Sequence, residues 1–536
     1  MSRSNLLHVA VGWLCCALAP ATGQVHQHGA GEIDRLGTVS FPTSCSAAVA
    51  PVLEKGVALL HSFGYDLARQ QFQQVEAREP ACAIAYWGDA MTHYHQLWDR
   101  PSAKDIEAGR TLTRKAQRAS AGTEREQGYI TAAAAFYDAP PNATYEQRSV
   151  AYSAALAKLH ERFPNDHEAT TFYALSLLAT PHANDNDFAD RKKAVTLLNQ
   201  ILQDGPDHPG VAHYLIHACD NPEMAQAGLP AARRYAQIAP ASPHALHMPS
   251  HIFTRLGLWA DDIESNLASK AAAERQKETE SRTHAMSFLE YAYLQTGETG
   301  RAEAIVREAL SIPASEYKEP EYAVAIQVRF RSLLALETRN WTQAIEMAPP
   351  ASAAPDFQAT VYWAQAVAAG RLKNAKAAEA AAAKYEAALE AVKKTTYAYV
   401  AETMLTNREE AHAWAKFAQG NLRSAEALLR EAAAAQDKAG KAEVDIPARE
   451  MLADMLLSAN RPADALQEYQ RSVTTDPGRF NGLFGIARAA QASGRMDLAR
   501  EYFQKLLDNC PKGSRPELEM ARNVLKGGSS ADHSTH

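Results

Sequence analysis

The segment IPAREMLADMLLSANRPADALQEYQRSVTTDPGR, residues 446–479, runs directly into FNGLFGIARAAQASGRMDLAREYFQKLLDNCPKG, residues 480–513. Overlaid as 34-residue frames, the two share Ala at position 8 (Ala453, Ala487), Ala at 20 (Ala465, Ala499), an aromatic ring at 24 (Tyr469, Phe503) and Pro at 32 (Pro477, Pro511). Between these positions the apolar residues recur at helical spacing rather than in alternation. Small residues let two helix backbones approach, the ring fills the next interface, and Pro ends the second helix because it lacks an N–H and clashes with the preceding turn. Each frame predicts two antiparallel helices that bury a continuous face only when neighbours stack.

These offsets resemble the tetratricopeptide repeat family, and the resemblance implies an all-α, right-handed superhelical solenoid of antiparallel helix pairs. A frame from Val49 repeats the pattern with Ala68, Phe72 and Pro80, and weaker echoes pair Gly297 with Ala302, Asn340 with Ala344, Gly370 with Ala375, and Gly420 with Ala425. No sustained alternation bounded by hairpin turns is found, so strands are not expected. The expected organisation is a signal peptide at 1–23, an irregular segment at 24–48, His-rich helical repeats at 49–347, a Pro/Ala-rich hinge at 348–355, further repeats at 356–526 and a disordered tail at 527–536. Further interruptions are expected at Pro181 to Asp190 and around Asn221 to Pro230.

At 536 residues the chain exceeds what one compact core usually organises, which again favours an array. Lys and Arg number 55 against 62 Asp and Glu, a net charge of −7 with no long basic run, so nucleic acid is not an expected partner. Arg3, the apolar run Leu6 to Ala19 and the small residues Ala19, Ala21 and Gly23 read as a secretory signal. The expected protein is periplasmic or secreted, with no membrane attachment after cleavage, since no later stretch approaches the roughly 20 apolar residues of a span. In an oxidising compartment Cys45 and Cys82 are the expected disulfide, pinning the N-terminal segment to the first helix pairs, with two buried thiols as the alternative.

Histidine is concentrated: six of 19 lie between His208 and His251, and from Ala285 to Asp532 His412 stands alone. In His208-Pro209-Gly210-Val211-Ala212-His213-Tyr214-Leu215-Ile216-His217, His213 and His217 are four apart on one helical face. Pro243-His244-Ala245-Leu246-His247-Met248-Pro249-Ser250-His251 repeats this with His247 and His251, although Pro249 threatens a kink. With Pro209 and Pro243 as position 1 of successive frames, both pairs fall at positions 5 and 9. His244 falls at position 2, as does His284 in a frame from Thr283. In the family resembled, positions 2, 5 and 9 line the concave groove.

Neighbouring helices 8–10 Å apart allow two such pairs to share one ion at about 2.0–2.1 Å per nitrogen. The expected metal ligands are His213, His217, His247 and His251, with His208, His244, His284 and Asp220 as further ligands or orienting partners. Glu168, Asp220 and Tyr214 are the candidate general bases. Affinity is expected to fall as pH drops through the imidazole range near 6.5. Imidazole ligands suit copper, zinc or iron and do not choose among them; Met248 leans towards copper. A metal-free polar pocket and purely structural histidines are the competing readings. The zinc-protease motif is absent, because no Glu follows the first His of either pair.

The two His segments, together with Ala85-Tyr86-Trp87-Gly88-Asp89-Ala90-Met91, also resemble a group of exported bacterial tetratricopeptide proteins of unassigned function over roughly residues 40–300. That likeness implies fold and location only. Two functions follow: an exported protein with a His-lined metal site open to catalysis, or a non-catalytic adaptor that holds an exported peptide or protein in its concave groove.

Overall fold

The computed structural model describes residues 35–119, 122–180, 188–395, 397–439, 441–442 and 444–529. The proposed signal peptide, residues 24–34 of the expected irregular segment, residues 181–187 of the expected interruption and the last residues of the tail lie outside them. Among the described residues the chain is helical with no strand, and successive helices pack as antiparallel pairs: an all-α solenoid.

The frame residues do what their sizes predict. Helices Ala448–Ser458 and Pro462–Thr475 form one pair, and Phe480–Ala492 and Met496–Asn509 the next. Ala453, Ala465, Ala487 and Ala499 are fully buried where the helices cross, and the rings of Tyr469 and Phe503 are buried beyond them. Gly485 admits Tyr469: a Cβ there would lie 2.3 Å from the ring. The N-terminal pair, Ala50–His61 and Tyr65–Arg78, repeats this with Ala68 and Phe72.

One apolar core runs from Phe41 to Phe253, a second from Val328 to Ala521, and a smaller one lies between them from Met286 to Phe330. The second core includes Ala344 and Met347 on one side of residues 348–355 and Ala359 on the other, so packing is continuous across the expected hinge. The array also curls back on itself. Trp259 Nε1 donates to the Gly478 carbonyl at 2.8 Å, and Asn509 Nδ2 donates to the Gln295 carbonyl at 3.0 Å. Buried Arg479 spans Glu337 at 2.7 Å and Glu450 at 3.0 Å. Lys318 pairs with Asp66, and the Arg100 guanidinium lies 4.5 Å from the Tyr399 ring centre.

One expected interruption is corrected. Residues 221–230 are not all loop, because helix Ala225–Ile238 contains Pro230. Proline deprives the Gln226 carbonyl of its helical partner, but Gln226 and Pro230 are both exposed, so water can take its place. At the N-terminus Cys45 and Cys82 form a disulfide. Thr43 Oγ1 and the Ser44 N–H donate to Glu126 at 2.7 and 2.9 Å, tying the irregular segment to the repeats. Cys219 and Cys510 are buried thiols, pushed up to about 11 and about 12 by burial, and are therefore unreactive.

Candidate metal centre

Three successive units supply the site through their first helices: Pro209–Cys219, the broken helix Pro243–His247 and Pro249–Leu256, and Thr279–Gln295. Pro at the first turn and the His208 side chain, whose Nδ1 accepts from the Val211 N–H at 3.3 Å, start the first helix. Ser242 caps the second, its hydroxyl accepting from the Ala245 N–H at 3.2 Å. The helix divides at Met248, yet His247 Nε2 and His251 Nε2 still meet at 3.0 Å. Met248 itself is buried in the apolar core.

The four paired histidines do not make one four-ligand group. Their nitrogens fall into two groups of three, His213 with His217 and His244, and His247 with His251 and His284, with ligand atoms within 4.8 Å of one another in each. His213 Nε2 is 3.0 Å from both His217 Nε2 and His244 Nε2. Thus each i,i+4 pair takes its third member from position 2 of the following repeat. The ring at position 2 of one first helix therefore reaches those at positions 5 and 9 of the one before.

The partners of the second ring nitrogens decide what these groups can do. His213 Nδ1 lies 2.6 Å from the His61 carbonyl, which can only accept, so that nitrogen carries the proton. His251 Nδ1 faces the Asp220 carboxylate at 2.9 Å. His247 Nδ1 faces Asn266 Oδ1 at 2.7 Å, and Asn266 Nδ2 in turn donates to Asp262 at 2.7 Å, which fixes the amide orientation. Neutral imidazoles protonated at Nδ1 keep their lone pairs on Nε2. His247 and His251 therefore point two lone pairs at each other across 3.0 Å, an arrangement that calls for a metal ion or a proton between them. Burial and the adjacent His217 lower His213 well below the ordinary histidine range; burial, then His213 and His247, lower His244. These two rings are neutral at physiological pH, as metal ligands must be.

The surroundings have two layers. Phe63, held in the left-handed region at φ 54°, places its ring 4.4, 5.4 and 5.7 Å from those of His213, His244 and His217. Phe288 does the same for the other group, at 4.7, 5.1 and 5.6 Å from His247, His251 and His284. Trp98, about half exposed, stands 5.2 Å from His244 where the site meets solvent. Asp220 Oδ1 accepts from Arg255 Nε at 2.8 Å, and Arg255 also donates to the Lys441 carbonyl at 3.0 Å, so the C-terminal repeats brace the second group. Burial pushes the Asp262 carboxyl up to about 7.

His208 and Glu168 lie elsewhere. His61 Nε2 and His208 Nε2 approach the two oxygens of Glu168 at 2.7 and 3.0 Å, and Tyr214 Oη lies 3.0 Å from His61 Nδ1. Every nitrogen in this buried cluster has a partner: the Val211 N–H and Tyr214 O–H donate to the two Nδ1 atoms, and both Nε2–H groups donate to the carboxylate. Burial raises the Glu168 carboxyl, and His208 and His61 override it, holding the group well below its ordinary range. The cluster is a structural support whose His61 carbonyl orients His213. This also places Glu168 and Tyr214 behind the site rather than at its mouth. Asp220 orients His251, in the next repeat, rather than the pair it follows in sequence.

Sequence reasoning did not identify Phe63, Phe288, Asn266 or Asp262. Phe288 was findable, lying four residues after His284 on one helical face. The others reach the site through turns and second helices that carry no periodic signal.

The Tetratricopeptide repeat family profile matches residues 410–480 and 450–514. No curated protein matches the chain. Among solved structures, a human IFIT1 dimer with m7Gppp-AAAA is 12% identical, covering 87% of this chain and 91% of its own, with a TM-score of 0.38. The APC/C hetero-tetramer Cut9–Hcn1 is 12% identical over 90% and 96%, with a TM-score of 0.32. Yeast Tom70 is 13% identical over 90% and 96%, with a TM-score of 0.28. Likenesses at these scores bear on neither partner nor activity. No described helix is long and apolar enough to cross a membrane. With residues 410–514 matched by the profile and the frame alanines and rings there buried where the repeat requires them, this C-terminal part of the chain is built of tetratricopeptide repeats.

Proposed function

We propose that this is an exported tetratricopeptide repeat protein that binds a transition metal, copper, zinc or iron, in the histidine groups of its N-terminal repeats. The observation that carries the reading is the second-nitrogen arrangement: His213, His247 and His251 each direct Nδ1 at a fixed acceptor and Nε2 at another Nε2 3.0 Å away. Three imidazoles around one point leave a coordination position for a further ligand, and a bound ion there would supply Lewis acidity. The protein's part is to hold each ring in one tautomer and to wall the centre with Phe63 and Phe288. The Cys45–Cys82 disulfide supports an oxidising compartment.

The experiment is elemental analysis of tag-free protein recovered from the exported fraction. Bound metal is expected at stoichiometric levels in the wild type, and its loss in a His213→Ala, His247→Ala double variant whose helical circular dichroism is retained. Wild-type protein without metal would reject the reading.

A second reading has its own support in the profile match at residues 410–514, because tetratricopeptide repeats commonly bind peptides or proteins. The C-terminal repeats would then hold a partner peptide or protein independently of the histidines. Peptide-array binding that survives the double histidine substitution would distinguish this activity from metal binding.

A further inference from the structure

We infer that the two three-histidine groups form one dinuclear centre, whose two ions share a single small bridging anion. The inference rests on the metal-binding reading above and adds to it the number of ions, their coupling and the class of exogenous ligand.

The first observation is spacing. Across the boundary between the groups, the ring centres of His217 and His251 are 6.2 Å apart and those of His244 and His247 6.3 Å. Within the groups, His217 and His244 are 6.5 Å apart and His251 and His284 6.4 Å. The groups are thus no further from each other than some rings of one group are from their own partners. They share a wall and do not form two remote sites.

The second observation is the donor set. Among the described residues all six ligands are imidazoles, and a neutral imidazole brings no charge to offset a divalent ion. Two cations held this close, in surroundings walled by Phe63 and Phe288, repel strongly unless an anion lies between them. Asp220 and Asp262 stand behind the rings, each separated from the ions by an imidazole or by Asn266 and an imidazole. The three ligands that the described residues offer each ion leave its shell incomplete. One anion donating to both ions completes two shells and lowers the repulsion at once. Hydroxide is the resting occupant that water supplies, and azide is a convenient three-atom probe. The phenylalanines restrict the space, and the half-exposed Trp98 beside His244 marks the side from which a small ligand enters.

The third observation is the repetition itself. Both groups are built from positions 5 and 9 of one repeat and position 2 of the next, and each has its own phenylalanine. One inherited half-site used twice on adjacent repeats gives a pair by construction. The series stops after His284, since Ser287 and Tyr291 occupy positions 5 and 9 of that frame.

The test loads tag-free full-length protein with Cu(II) alone, measures copper per chain and the electron paramagnetic resonance spin count, then titrates azide. The expected result is two coppers per chain, a spin count well below two, and an azide-dependent charge-transfer band that saturates at one azide per two coppers. His284→Ala should bind one copper and show one full spin. Two coppers with two full, independent spins, or two azides per chain, would overturn the dinuclear centre while leaving metal binding intact. One copper in the wild type would overturn it in favour of a single shared ion. No copper would sink the metal reading as well.

Discussion

His247 illustrates how one side chain is oriented by residues that lie outside the proposed metal site. Its Nδ1 proton goes to Asn266, Asn266 is held by Asp262, and Asp262 is held by the Thr254 hydroxyl at 2.5 Å. Removing the middle link frees the ring to rotate or change tautomer. Asn266→Ala is therefore expected to weaken metal binding at the His247 group about 10–100-fold, with the His213 group unchanged, as read by competition with a chelator of known affinity. Gly210 tests the other group. A Cβ there would lie 2.5 Å from His61 Nδ1 in a fully buried cluster, so Gly210→Ala must displace the ring whose carbonyl orients His213. Weaker binding at the His213 group is expected, with a stability cost of about 1–3 kcal/mol in urea unfolding, typical of overpacking.

At the level of the helices, the repeat frame was legible because its information is local: Ala453, Ala465, Tyr469 and Pro477 act within 34 residues, and all but the Pro are buried as the frame requires. The histidine faces were legible for the same reason. Which histidines meet was not, because grouping His244 with His213 and His217 depends on how neighbouring helices are placed against each other, a tertiary quantity. Asp220 likewise finds its imidazole 31 residues away, across that junction. Helix junctions in the C-terminal half are held by charge. Asp454 on helix Ala448–Ser458 receives Arg339 at 3.1 Å, Arg371, and Tyr469 Oη at 2.5 Å, joining three helices and the turn after helix Pro320–Glu337. Burial pushes the Asp454 carboxyl up, but Arg339 and Arg371 outweigh it and bring the group down to about 2. A carboxyl depressed in the folded state stabilises fully above its unfolded value and loses that contribution as pH falls through the folded value. Asp454→Asn should therefore cost about 3 kcal/mol near neutrality by stranding two guanidinium groups, and the gap from wild type should close between about pH 4 and about pH 2 in urea unfolding.

For the whole molecule, the curl of the array makes the C-terminal repeats part of the site's support: Lys441 reaches Arg255, Gly478 receives Trp259, and Arg479 locks Glu337 to Glu450. None of these contacts has a periodic signature, so none is legible in the sequence. Stability in a repeat array is a sum of neighbouring interfaces, so a ligand that bridges three first helices should act where it binds. Metal at about 100 times its dissociation constant should add about 2.7 kcal/mol, and hydrogen exchange should show the added protection concentrated between residues 209 and 295. Protection spread evenly to residue 520 would mean that the ion acts on the whole array instead.

His213, His217 and His244, and separately His247, His251 and His284, are proposed to close on metal. Anomalous diffraction at the absorption edge of the bound element, from crystals of metal-loaded protein, tests it most directly. Two peaks are expected, each within about 2.0–2.2 Å of three imidazole nitrogens. Crystals that contain the metal but show no peak at either group, or a single peak against surface residues, would contradict it.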